Sequence, residues 1–345
     1  MGQEPSALES MERLTRHAAT PRGGFWSKRR VLVTGGAGFI GFKLACHLRD
    51  RGAEVTLLDI KKALPSFANP VDKRTFVYVR GSVTSRKTVA SLLKRRNVQT
   101  VFHLAAEAIV GRALRDPAAA LEANVRGTWV LLECVRQNPN VVEVVVAASD
   151  KAYGSHARLP YREDAKLAGL NPYDCSKSSA DLIAQMYART YALPVAVARC
   201  GNVYGGGDLN WSRLVPDALR SLASGTPLQL RSDGTHTRDY VYVDDVLDGY
   251  RVLAENIRRK KLSGEAFNFG TNEPLSVRDV LGLIARAAGR MVPSRIANTP
   301  SREIRSQYLD WSKARRVLGW RPNVRRTIGF KKTADWYADF FSRPT

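Results

Sequence analysis

The chain of 345 residues is predicted to be an α/β protein built on a doubly wound parallel sheet, with a smaller C-terminal lobe interleaved with it. Three observations carry this expectation. Short β-branched runs alternate with helical stretches at a spacing in which each parallel return needs a crossover helix. The first of these runs leads into a glycine-rich turn that opens a helix. After residue 199 the alternation gives way to glycine-rich loops and short helices, which predicts a second unit woven onto the first.

The elements follow in order. Residues 1–27 lack sustained periodicity: a short amphipathic helix is expected over 6–14, Pro21 and Gly24 break the chain after it, and the segment reads as a flexible extension. The pattern changes at Lys28. Val31-Leu32-Val33 reads as the first strand, 39–51 as the first helix, Gly52 as its stop and Val55-Thr56-Leu57-Leu58-Asp59 as the second strand. Further strands are expected over 75–79, 100–104, 141–147 and 195–199, with helices over 85–96, 117–137 and 172–191. The expected first domain takes residues 28–205 with 237–269, and the lobe takes 206–236 with 270–345.

Composition narrows the class. Apolar residues make up 44% and charged residues 25%, the balance of a globular chain. No run of about 18 uninterrupted apolar residues is present, so no spanning helix and no membrane partner are expected. The first residues carry no basic-then-apolar leader, and Cys46, Cys134, Cys175 and Cys200 form no CxxC pair. The expectation is a cytoplasmic protein with reduced thiols and no metal site. The net charge of +22 invites an anionic partner, and +12 of it falls in residues 251–345. No basic stretch is interleaved with aromatics, so nucleic acid is not expected, and 258–261 and 325–332 read as solvated faces.

Gly35, Gly38 and Gly41 follow the first strand in Thr34-Gly35-Gly36-Ala37-Gly38-Phe39-Ile40-Gly41 and open the first helix. Glycines there let the backbone approach a pyrophosphate held on the helix N-terminus. Asp59, 18 residues beyond Gly41, ends the second strand and suits the ribose hydroxyls of NAD, a preference that Lys61 and Lys62 soften. A plain tight turn gives the same glycine spacing. Tyr173 and Lys177 stand four apart on one helix face, where a lysine lowers a phenol pKa and holds the nicotinamide ribose. Alone, that spacing also fits a solvated helix. Upstream, a strand ends in Ala148-Ser149-Asp150-Lys151-Ala152-Tyr153-Gly154, where α/β sheets place their chemistry.

With these motifs in this order the chain resembles the extended short-chain dehydrogenase/reductase family, the Rossmann-fold nucleotide-sugar epimerases and dehydratases, from about Phe25 to the C-terminus. Further carriers are His103-Leu104-Ala105-Ala106, Asn124, Asn202-Val203-Tyr204-Gly205, Arg238-Asp239-Tyr240-Val241-Tyr242-Val243-Asp244-Asp245 and Leu318-Gly319-Trp320-Arg321-Pro322. The resemblance implies a Ser149, Tyr173, Lys177 triad and NAD contacts from Gly35, Gly38, Phe39, Ile40, Gly41, Asp59, Ser82, Val83, Leu104, Ala105, Ala106, Asn124, Tyr173 and Lys177. Asp150-Lys151 is similar to the pair of CDP-glucose 4,6-dehydratases and of inverting UDP-N-acetylglucosamine dehydratases. In that role Lys151 removes the C5 proton beside a C4 ketone and Asp150 protonates the departing C6 hydroxyl; a structural ion pair is the other reading. Gly205-Gly206-Gly207-Asp208-Leu209-Asn210-Trp211-Ser212-Arg213, Arg231 and Tyr308 also resemble that group. The implied substrate contacts are Glu107, Asn202, Asn210, Arg213, Arg231, Arg238 and Tyr308, with Arg213 and Arg231 reading equally as surface charges.

Three positions depart from the pattern. The glycine loop is the epimerase version, Ser82 stands where an adenine-contacting aspartate is usual, and Glu107 stands where glutamine is usual. The expected activity is NAD-dependent 4,6-dehydration of a nucleotide hexose, CDP-glucose-like, to its 4-keto-6-deoxy form. A 4-epimerase, other redox or decarboxylation chemistry, and a non-catalytic NAD-fold protein for an anionic partner are the alternatives. A homodimer through the Tyr173 helix is implied by the resemblance alone.

Overall fold

The computed structural model describes residues 24–230, 232–297 and 304–343; the expected helix over 6–14 and Arg231 lie outside them. Seven strands pair in parallel in the order β3-β2-β1-β4-β5-β6-β11. They are β1 Arg30–Thr34, β2 Glu54–Asp59, β3 Val77–Arg80, β4 Thr100–His103, β5 Glu143–Ser149, β6 Val195–Cys200 and β11 Ala266–Phe269. Alternation along β1 explains why both faces are covered: Val31 and Val33 enter one apolar cluster, and Leu32 enters the other. Central strands buried on both faces become continuous apolar runs, as in Val144-Val145-Val146.

The helices before β6 are α1 Phe39–Arg49, α2 Pro70–Thr75, α3 Arg86–Arg95, α4 Val110–Arg115, α5 Pro117–Leu121, α6 Gly127–Arg136 and α7 Pro172–Tyr191. α3, α6 and α7 bury Leu92, Leu93, Leu131, Leu132 and Ala184 against one face. α1 covers the other face with Phe42, Leu44 and Leu48. The expected strand over 75–79 begins only at Val77, because Asn69 caps Asp72 N at 2.8 Å and Pro70 starts α2. The expected helix over 117–137 is divided by a π turn, Glu122–Arg126, between α5 and α6. That turn brings Asn124 inward and leaves Gly127 against Val83, where a Cβ would stand 2.6 Å from Cγ1. Packing also starts before Lys28: Trp26 is buried, and its Nε1 donates to Glu255 Oε1 at 2.5 Å.

Beyond β6 the chain makes small sheets around the C-terminal ends of the main strands. β7 Asn202–Tyr204 pairs with β10 Tyr240–Tyr242, and β8 Leu228–Leu230 pairs with β13 Ser294–Ile296. β9 Thr237–Arg238 lies between β12 Leu275–Ser276 and β14 Ser306–Gln307. The remaining helices are α8 Leu214–Ser224, α9 Val243–Asn256, α10 Val277–Ala288, α11 Ser312–Leu318 and α12 Arg326–Ser342. α12 supports the loop after β7: Phe330 stacks on Tyr204 at 4.4 Å, and Tyr337 Oη donates to Asp208 O. Trp336 covers Gly206, where a Cβ would lie 2.3 Å from its Cγ. Among the described residues no helix is long and apolar enough to cross a membrane.

Candidate active site

The sheet order reverses between β1 and β4, which opens a crevice at their C-terminal ends. The glycine loop fills one side of it. Gly35 holds φ +72°, and a Cβ there would come within 2.8 Å of Ala105 N and the Leu104 carbonyl carbon. A Cβ on Gly41 would stand 2.2 Å from Gly35 O. Both positions admit only glycine. Gly38 is the N-cap of α1, has no side-chain cap, and the first turn holds no acid. The first-turn amides of Phe39, Ile40 and Gly41 are thus suited to an outside anion. Asp59 braces the loop, accepting from Ala37 N at 2.9 Å and Lys61 N at 3.0 Å. Lys61 Nζ turns back to Ala37 O at 3.0 Å, so it is engaged with the loop itself.

Other predicted cofactor positions divide into two kinds. Leu104, Ala105 and Ala106 lie on the opposite wall, with Ala105 N on Thr34 Oγ1 at 3.2 Å. Ser82 closes on its own turn, accepting from Thr84 N at 3.1 Å, while Val83 is buried. Asn124 holds Glu107 by both backbone groups, at 2.7 Å and 3.1 Å, and donates to Ser176 Oγ at 2.8 Å. It positions the Ala106–Glu107 loop from beneath. Glu107 Oε1 accepts from Ile109 N at 3.0 Å. Glycine cradle, bare helix N-terminus and acidic strand end together fit a dinucleotide.

The second constellation forms where β5 ends. Ser149 Oγ donates to Asp150 Oδ1 at 3.0 Å and accepts from Lys151 N at 3.2 Å. The Tyr173 phenol, presented by the first turn of α7, lies beside it. Lys151 Nζ donates to both Asp150 oxygens at 3.0 Å and to Asn202 Oδ1 at 3.4 Å. Burial pushes Tyr173 up to about 12; the Arg213 charge opposes it most, and the Ser149 hydroxyl also lowers it. Burial pushes Lys177 down to about 8, and its Nζ donates to Ala147 O at 2.9 Å. The sequence assigned the lowering of the phenol to Lys177; the charge that lowers it most is that of Arg213. Lys177 is already neutral where the phenol titrates. Burial also pushes Lys151 below its usual value, and Asp150 pulls it back.

On the substrate side the predictions are partly gathered. Asn202 and Arg238 face Lys151. Arg213 pairs with Asp208 at 3.0 Å within reach of Tyr173. Asn210 caps its own loop, accepting from Ser212 N at 3.2 Å and Oγ at 2.7 Å. Tyr308 joins the wall through its carbonyl, which accepts from Tyr161 N at 2.9 Å. Sequence reasoning missed the groups beneath the turn Asp150–Tyr153. Tyr153 is fully buried, stacks on Tyr161 at 4.9 Å, accepts from Arg199 Nη1 at 2.8 Å and donates to Asn268 Oδ1 at 2.7 Å. Asp174, beside Tyr173, was also missed and is buried.

A parallel sheet with this cradle and this Tyr-Lys helix defines a nucleotide-binding oxidoreductase-type enzyme. The chain belongs to the NAD dependent epimerase/dehydratase family, whose model matches residues 31–270, and its cofactor is NAD. It is 34% identical over 318 residues to dTDP-glucose 4,6-dehydratase of Streptomyces antibioticus, covering 90% of this chain and 92% of that one. It is 30% identical to a trifunctional UDP-glucose 4,6-dehydratase, 3,5-epimerase and reductase of Arabidopsis thaliana, covering 90% of this chain and 47% of that longer one. The chain therefore spans about half the length of that relative. Among solved structures it is similar to a dTDP-glucose 4,6-dehydratase of Streptomyces venezuelae with NAD bound, at TM-score 0.81 and 31% identity, covering 90% and 97% of the two chains. It is also similar to UDP-glucose 4-epimerase of Thermotoga maritima, at TM-score 0.82 and 28% identity, covering 91% and 100%.

Proposed function

We propose that the protein is a nucleotide-sugar 4,6-dehydratase acting on a nucleotide hexose. The observation that carries this reading is the Asp150–Lys151 ion pair, with contacts of 3.0 Å, beside Ser149 and Tyr173. NAD held by the glycine cradle would supply a hydride acceptor for C4 oxidation and a hydride donor for C6 reduction. Tyr173, once its own proton has passed to solvent and left the phenolate, accepts the C4 hydroxyl proton while Ser149 hydrogen-bonds the oxygen that becomes the ketone. The ketone acidifies the C5 proton, and Lys151 removes it. Asp150 protonates the C6 oxygen, which leaves as water. For both to act, one proton first moves from the Lys151 ammonium to the Asp150 carboxylate, converting the ion pair to a neutral pair. Desolvation by bound sugar favours that neutral form. The gain of a proton by Lys151 and its loss by Asp150 then restore the charges. As hydride adds at C6, Lys151 returns its proton to C5, and the proton released from the C4 hydroxyl makes good, through solvent, the one that left with the water.

Arg213 and Arg238 would hold the diphosphate, for which forked guanidinium contacts are suited. The relatives reported above act on dTDP- or UDP-glucose, whereas the Asp150-Lys151 pair and the loop 205–213 favour CDP-glucose. A panel of CDP-, dTDP- and UDP-hexoses followed by mass spectrometry tests the reading: one product should be lighter by one water, and Tyr173→Phe should lose more than about 100-fold in turnover. A product of unchanged mass with an inverted hydroxyl would replace it by 4-epimerisation, the second reading, which the likeness to UDP-glucose 4-epimerase supports. A cytoplasmic homodimer belongs to the same proposal. Its support is an exposed apolar face on adjoining helices, with Leu121 on α5, Trp129 on α6 and Leu182 and Met186 on α7.

A further inference from the structure

Five polar side chains lie buried between the glycine cradle and the catalytic helix. They are Thr34 at the end of β1, His103 at the end of β4, Asn124 in the π turn, Thr128 on α6 and Ser176 on α7. Buried polar groups must satisfy one another, and each hydroxyl has one proton to give. Following those protons fixes the direction of every bond. Thr128 Oγ1 lies 2.6 Å from Asn124 O; a carbonyl has no proton, so the hydroxyl donates. The 3.1 Å contact between Thr128 Oγ1 and His103 Nε2 must then carry a proton from the ring. Burial holds the imidazole down at about 3, and the Lys177 charge adds to this, so at pH 7 the ring is neutral and Nδ1 is bare. Nδ1 therefore accepts from Thr34 Oγ1 at 2.8 Å, and Thr34 in turn accepts from Ala105 N at 3.2 Å. The Asn124 amide is fixed as well. Its Oδ1 accepts from Glu107 N, which leaves the two Nδ2 protons for Glu107 O and Ser176 Oγ. Ser176 Oγ passes its own proton to Tyr173 O at 2.7 Å.

We propose that His103 is a positioning residue for the cofactor wall: held as the Nε2–H tautomer, it joins the Ala105 amide to the π turn and the Tyr173 backbone by hydrogen bonds of one fixed direction. The reversed ring would point a bare Nε2 at a Thr128 oxygen whose proton is already committed, and would leave the Thr34 hydroxyl without its acceptor. Thr34 and His103 are paired in register across β1 and β4, so the ring spans the crevice floor from the cradle strand to α6. The wall Leu104–Ala106 and the carbonyl of Tyr173 are thereby held in register from beneath. The assignment needs NAD as the cofactor and holds whichever sugar is used.

Nitrogen-15 spectra of the full chain, labelled at histidine and freed of cofactor, report the ring directly, because protonated and bare imidazole nitrogens resonate far apart. His17→Gln, His47→Gln, His156→Gln and His236→Gln, made singly, assign the His103 signals by elimination. At pH 7 the protonated nitrogen should be Nε2 and the bare one Nδ1. An Nδ1–H ring, or a doubly protonated one, overturns the proposal. Thr128→Val keeps the side-chain volume and removes the acceptor, so the Kd for NAD in calorimetry should rise about 10-fold or more. Thr128→Ser keeps the oxygen and should bind NAD like the wild type. A role in packing alone would lower the melting temperature of the Val variant and leave its Kd in place; that result overturns the assignment, as does a Ser variant as weak as the Val one. If the Thr128 variant does not fold, Thr34→Val against Thr34→Ser is read by the same Kd.

Discussion

Lys177 has two demands placed on it that conflict. Its pKa falls to about 8 from an ordinary 10.5 because the fold buries it, so below pH 8 the protein holds a desolvated ammonium with one carbonyl partner. Between pH 8 and 10.5 the unfolded chain binds more protons at this site than the folded one, so this contribution to stability rises with pH across that window. Lys177→Met should therefore make the cofactor-free protein more stable at pH 7 by about 1–2 kcal/mol, after loss of the Ala147 bond, and the gain should vanish toward pH 10.5. Urea unfolding at pH 7 and pH 10 measures both values; a variant less stable at pH 7 would refute the account. At this scale the sequence was informative wherever spacing defines geometry. Tyr173 and Lys177 read as one helix face, and Gly35 and Gly41 as a cradle. Asp174 was not legible, because nothing in the spacing separates a buried acid from a solvated one in the first turn of a helix.

Elements are joined beneath the site by one buried ion pair. Arg199 of β6 meets Asp181 of α7 through two bonds, of 2.8 Å and 3.0 Å, and reaches Tyr153 on the catalytic turn. Both charged side chains are at most 2% exposed. Asp181→Ala would leave the guanidinium buried without its partner and should cost about 3–5 kcal/mol in urea unfolding. Asp181→Leu combined with Arg199→Met should recover most of that stability, while turnover stays low because Tyr153 has lost its donor. A single variant that unfolds like the wild type would refute the argument. The helix over 172–191 was legible to the residue, since Pro172 opens it and its apolar spacing persists. The π turn at Glu122–Arg126 was hidden because alanine-rich sequence favours an unbroken helix. The need to bring Asn124 under Glu107 arises only from tertiary structure.

The molecule as a whole displays a face that its own core does not use. Leu182 is 56% exposed and Met186 42% on α7, next to Trp129 at 40% on α6. Large apolar side chains gathered on adjoining helices mark an association surface. If this face carries the proposed homodimer, light scattering at micromolar concentration should give a dimer mass for the wild type and a monomer mass for Leu182→Asp with Met186→Asp, and equal masses for the two would rule this face out. The parallel sheet and the interleaved lobe were legible from alternation and its loss. The strand pairings of the lobe were not, since strands of two or three residues carry no readable period. Much of the basic excess lies on exposed positions such as Arg258, Arg259, Lys261, Arg315 and Arg316.

The support given by α12 to the loop 205–213 has a consequence for how the enzyme comes into being. A ribosome delivers the glycine cradle within the first third of the chain and the Tyr173 helix near its middle, and the sheet beneath them is complete once β11, Ala266–Phe269, has been made. The substrate loop must wait for Phe330, Trp336 and Tyr337, which arrive close to the end. A nascent chain would thus be ready to take up its cofactor long before it can grip a sugar.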